Sequence, residues 1–226
     1  MSNGMFNNNP LSWWDDEPED IAQANIKKTL EERAVNGYSF YDWINFCDYY
    51  GTLILRVCEL IVEGAIESAD SENNADLVVE VEGLLQLIRQ VEVYVQRSDE
   101  LPVHKYDERS SIDSAVMNLE RIIISKFVTQ ILPKLPFIDG YAVPEADRYN
   151  LVNPVDYPMV GSFMTEMLKK GVIGFRTGHG YPGKYDTFKN WVTVLDYIVM
   201  NLNTNGTPIP EHAHDLLVEN FMSLWD

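Results

Sequence analysis

Between Phe40 and Ala65 apolar residues recur so densely that they cover well over half of a helix circumference: Phe40, Trp43, Ile44, Phe46, Cys47, Tyr50, Leu53, Ile54, Val57, Leu60, Ile61 and Ala65. Ser39 opens the run, with Asp42 three residues on, so the pattern predicts a helix from Ser39 toward Ala69. Only Thr52, Arg56, Glu59, Glu63 and Glu67 form a polar stripe, which marks a central helix touching several neighbours. A second segment, Ala75 to Arg97, places Leu77, Val81, Leu84, Leu85, Ile88, Val91 and Val95 at helical spacing. Its Val79-Glu80-Val81-Glu82 and Val91-Glu92-Val93-Tyr94-Val95 stretches also alternate as a strand would. A third, Ser111 to Leu132, repeats the helical period with Ile112, Val116, Leu119, Ile123, Phe127 and Ile131 until Pro133 ends it. These three antiparallel helices predict the core.

On either side of the core the pattern thins. A helix over Pro18 to Asn36 carries only Ile21, Ala24, Leu30 and Ala34 as apolar positions, with Gly37 after its end. Pro133, Pro136, Pro144, Pro154 and Pro158 make residues 133–158 a long connection without a regular element. Beyond it the expected helices are Met159 to Lys170 with Gly171 as C-cap, Asp186 to about Asn203, and one from Pro208 capped by Thr207. The stripe of the last, His214, Leu217, Val218, Phe221 and Trp225, needs a surface to pack on. The expected fold is mainly α. It comprises an extended arm (1–20), a helical bundle core (21–132), the Pro-rich connection (133–158), and C-terminal helices packing on the core (159–226).

Charge changes the picture of what this bundle can bind. The chain of 226 residues has a formal net charge of −18, and residues 1–100 hold 20 acids against 6 bases. Such a chain does not hold a nucleic-acid backbone by bulk charge, and no sequence-specific nucleic-acid contact is expected. No apolar run is long enough to span a bilayer, and Met1-Ser-Asn-Gly has neither a basic nor an apolar leader region, so neither membrane contact nor export is expected. The arm has no base within its first 20 residues but carries Trp13 and Trp14 followed by Asp15 and Asp16. The two tryptophans suit a partner's pocket or the chain's own core, and the sequence leaves both open. Lys169, Lys170, Arg176, Lys184 and Lys189 concentrate bases in one short stretch. This cluster either meets the acidic half of a neighbouring copy or is a solvated loop.

Candidate chemistry is sparse. Gly178-His179-Gly180-Tyr181-Pro182-Gly183 matches a dinucleotide-loop spacing, but no second parallel strand with a ribose-binding acid follows it, and Pro182 removes a donor, so a chain-reversing turn is expected. Glu59, Glu63 and Glu67 stack on one helical face without the Glu-x-x-His partner of di-iron bundles. His212 and His214, two apart on a helix, point about 200° from each other and cannot share an ion. Cys47 and Cys58 lie about 16 Å apart along one helix, too far for a disulfide. No cofactor, metal site or catalytic residue is therefore expected, and the chain is read as a non-enzyme.

An aromatic and acidic arm (Trp13, Trp14, Asp15, Asp16), a helical core, a long Pro-rich connection and no catalytic constellation together resemble the head-to-tail connector (ring or adaptor) proteins of tailed bacteriophages. That resemblance implies a homo-oligomeric ring docking other structural proteins, in a virion or the host cytoplasm, without cofactor or turnover. The expected partner-binding residues are Trp13, Trp14, Asp15, Asp16, Arg176, Lys184, Lys189, Phe221 and Trp225. The alternative reading, motivated by the acidic first half, is an inhibitor that imitates nucleic-acid charge and fills a basic groove on a polymerase or nuclease.

Overall fold

The computed structural model describes residues 17–36, 39–40, 46–102, 104–137, 160–174, 181–202 and 206–224. These form a mainly α fold, with seven α-helices and no strand among the described residues. In chain order the helices are α1 (Glu19–Asn36), α2 (Phe46–Val62), α3 (Asn74–Glu100), α4 (Tyr106–Lys126), α5 (Val160–Gly174), α6 (Phe188–Asn201) and α7 (Glu211–Phe221). The arm's Trp13 to Asp16, residues 41–45, most of the Pro-rich connection and residues 175–180 lie outside the described residues.

Helix α2 is the centre. Residues all round its circumference are buried, from Phe46, Tyr49 and Tyr50 to Leu60 and Ile61. Tyr50 is fully buried, and its hydroxyl donates to the Met164 carbonyl of α5 at 3.1 Å. Its ring lies 6.4 Å from Phe127 and 6.0 Å from Phe221, so one aromatic side chain joins α2, α5, α7 and the end of α4. Thr52, expected on a polar stripe, is buried as well and donates its hydroxyl to the Asp48 carbonyl one turn back at 3.0 Å. Cys47 and Cys58 are buried free thiols, and burial raises the pKa of both well above the ordinary thiol range.

The helix expected to reach Ala69 stops at Val62. Gly64 takes φ 74°, the left-handed conformation that glycine adopts without strain. Its N–H donates to Ile61 O at 3.1 Å and that of Ala65 to Leu60 O at 2.9 Å, which satisfies the last carbonyls of α2. Glu67 therefore leaves the face that carries Glu59 and Glu63. The connection to α3 is held by Ser68 N–H on Asn74 Oδ1 (2.6 Å) and Ala69 N–H on the Lys134 carbonyl (2.7 Å).

Helices α3 and α4 pair as the main hairpin, and the alternating valines of α3 prove helical: Val81 and Val91 face the core while Val79 and Val93 face outward. Past Lys126, α4 widens into a π turn (Phe127–Ile131) and then tightens over Leu132–Lys134. Pro133 supplies the reason, since its ring would clash with the carbonyl four residues back in an unbroken α-helix. The widened turn buries Phe127, Val128 and Ile131 together.

Helix α5 does not end at Gly171 as expected but runs to Gly174. Gly171 lies inside it because the Phe46 ring sits where a Cβ would be, so the glycine serves close packing of α2 on α5. Helix α6 is capped by Thr187, whose hydroxyl accepts from Asn190 N–H at 3.2 Å. Helix α7 begins at Glu211, not Pro208. Leu217, Phe221 and Leu224 join the same continuous core as α2 to α6.

Candidate functional site

The expected partner-binding residues separate into three groups. Trp13, Trp14, Asp15, Asp16, Arg176 and Trp225 lie outside the described residues. Phe221 is fully buried, 6.1 Å from the Phe46 ring, and so is corrected from a surface anchor to a core residue. Its place in the stripe of α7 was legible, but that stripe packs on α2 of the same chain.

Lys184 is exposed but engaged within its own chain. Its ammonium pairs with Glu219 of α7 at 2.8 Å and stands 5.3 Å from the centre of the Tyr185 ring. Tyr185 in turn donates to Asn220 Oδ1 at 2.9 Å and lies 5.2 Å from Trp191, while Asn220 Nδ2 donates to the Leu216 carbonyl at 2.7 Å. These bonds fasten the segment before α6 to α7, and the charge of Lys184 is answered within the chain. Lys189 differs: it is exposed and makes no ion pair with a described residue. It begins a stripe, Lys189, Thr193, Tyr197 and Met200, that faces away from the buried Trp191, Leu195 and Ile198. Met200 is 80% exposed, and Tyr197 is exposed with the His212 ring of α7 tilted against it, 5.4 Å between centres. Tyr181, also exposed, lies 6.2 Å from Phe188 at the start of the same helix.

One constellation escaped the sequence. Ser125 Oγ lies 3.2 Å from His214 Nε2, and His214 Nδ1 lies 3.3 Å from Asp215 Oδ1. A carboxylate only accepts, so Nδ1 carries a proton, and in the neutral ring Nε2 then accepts from the Ser125 hydroxyl. The order of groups is that of a nucleophile, a base and its orienter. Ser125, however, sits inside α4, where the neighbouring backbone amides are engaged in the helix ladder and so are not free to converge on a developing oxyanion. The contact ties α4 to α7. No local motif could have signalled it, because the two residues are 89 positions apart.

The carboxylate stripe is also accounted for. Arg56 lies 3.0 Å from Glu59 and 3.7 Å from Glu63, neutralising much of what a cation would bind. Among the described residues no three His, Cys, Asp or Glu side chains group to hold a metal ion, and no helix is long and apolar enough to cross a membrane. Asp48 is a perturbed acid: burial raises its pKa to about 6, and the adjacent Cys47 thiol, 3.8 Å from Oδ1, moderates the rise.

No family model matches the chain, and neither a curated protein nor a solved structure matches it.

Proposed function

We infer that this chain is a non-enzymatic assembly protein, a ring subunit of the connector type it resembles, and that the outward face of α6 receives the acidic aromatic arm of a neighbouring copy. The observation that carries the reading is the composition of that face: Lys189 unpaired among the described residues, with Tyr197 and the 80% exposed Met200 along the same stripe. Trp13 and Trp14 supply aromatic surface for Tyr197 and the methionine sulfur, and Asp15 and Asp16 supply the charge opposite to Lys189. An arm from one copy on α6 of the next is a head-to-tail contact, which closes into a ring when the rotation permits.

The test is the mass of the assembly by analytical ultracentrifugation. The full chain should sediment as a multimer. Deleting residues 1–17, or introducing Lys189→Glu with Met200→Glu, should reduce its mass while leaving the helical circular dichroism unchanged. Unchanged mass in either variant rejects the α6 site. Collapse of the helical signal on deletion places Trp13 and Trp14 in the subunit's own core and rejects the arm exchange.

A further inference from the structure

The face of α3 turned away from the core holds three residues that a solvated helix would not favour. Val79 and Val93 are 67% and 63% exposed, and β-branched side chains lose rotamer freedom in a helix without gaining burial there. Gly83, in the interior of this 27-residue helix, is among the poorest helix formers. Among the described residues nothing lies within 4 Å of where its Cβ would be, so no contact with them requires a glycine. Val79, Gly83, Gln86, Gln90 and Val93 recur at alternating spacings of four and three, the seam of a helix that pairs with another helix. Opposite them the core side of α3 is Leu77, Val81, Leu84, Ile88 and Val91. The seam bears no charge, in a chain whose net charge is −18.

The charges flanking the seam identify the occupant. Asp76 and Glu82 lie in the amino-terminal half of α3, and Arg89 and Arg97 in the carboxyl-terminal half, followed by Glu100 at the last position. Glu100 accepts from Gln96 Nε2 at 3.1 Å. The other four are exposed, and none makes an ion pair with a described residue. We propose that this face of α3 pairs with the same face of a second copy, antiparallel about a two-fold axis through Gln86. That axis sets Val79 against the second copy's Val93, Glu82 against its Arg89 and Asp76 against its Arg97, and each contact occurs twice, as an isologous interface requires. Gly83 lets the two backbones approach. Val79 and Val93 are about 21 Å apart along the helix, so the contact is small and the dimer is of the weak, concentration-dependent class. The proposal stands independently of the α6 reading, since it uses another helix and none of the arm.

Cysteine cross-linking of the full chain tests the geometry. Gln86→Cys should form a disulfide-linked dimer under mild oxidation, visible on a non-reducing gel. Ala75→Cys and Arg97→Cys should each link poorly alone and readily when the two variants are mixed. The native Cys47 and Cys58 are buried and do not compete. Charge exchange tests the pairing in the Lys189→Glu/Met200→Glu background, where the α6 contact is removed: Arg89→Glu/Arg97→Glu and Asp76→Lys/Glu82→Lys should each lose the remaining self-association roughly tenfold or more, and their mixture should regain it. Failure of Gln86→Cys to link overturns the axis, and charge variants that associate like the unmodified chain overturn the proposal. Loss of arm exchange leaves both readouts intact, so the two proposals fail separately.

Discussion

Helices α2 and α3 obey the same period and contribute to the same core, yet one is exhausted by the fold and the other is not. Along α2 nearly every direction meets a neighbour, and even Thr52 and the phenol of Tyr50 bond within the protein. Along α3 one face is buried, while the other sets two valines and a glycine in water. Apolar residues in excess of what the core uses carry information about contacts beyond the subunit. A helix whose apolar residues are buried at every position but its last, Val62, informs mainly about stability.

Substitutions that strike the surroundings of α2 should break the comparison hardest. Phe221→Ala, which removes a ring packed on Phe46 and Tyr50, is expected to destabilise the fold by about 4 kcal/mol in urea unfolding. A loss below about 1 kcal/mol would mean that α7 does not seal this core.

Acidity gives the next largest effect. Asp48 titrates at about 6 in the folded protein against 3.8 unfolded, so between those values the native state binds the extra proton. Its contribution is present in full below about pH 4, fades as pH rises through 6, and is level above; for a partly solvated group this amounts to about 2 kcal/mol. Asp48→Asn should therefore unfold at a higher temperature than the unmodified chain at pH 7 and lose that advantage near pH 4. Parallel melting curves of the two proteins across that range would contradict it.

Smaller changes sharpen the contrast. Tyr50→Phe keeps the ring and removes the bond to the Met164 carbonyl, for an expected loss of about 1 kcal/mol in the same unfolding assay. Gly83→Ala on α3 should do the opposite, raising subunit stability by about 0.5–1 kcal/mol because open space surrounds the added methyl. A destabilised Gly83→Ala subunit would show that the glycine serves the monomer.

The hairpin of α3 and α4 was legible because Leu77, Val81, Leu84, Ile88 and Ile112 to Ile131 keep one period over many turns, and in α3 this outweighs the short strand-like alternations. Boundaries were less so. Ala65 and Ile66 extend the apolar pattern of α2 past Val62, whereas Gly64, whose backbone conformation ends the helix, is silent in a hydrophobic count. Gly171 read as a terminator because its role depends on a ring from Phe46, distant in sequence. The candidate surface fared unevenly for the same reason. The basic residues before and within α6 were visible as a group, but that Lys184 is taken up by Glu219 while Lys189 is free among described residues depends on where α7 folds back. Ser125 and His214 meet only through tertiary packing.

The two thiols of α2 make that helix its own reporter. Cys58 is shielded from solvent on every side and held protonated by its surroundings, so an alkylating reagent meets a reactive thiolate only after α2 has left the core. Labelling at Cys58 under native conditions thus follows rare openings of the interior rather than surface breathing. At high reagent concentration it becomes a clock for unfolding itself, running without denaturant.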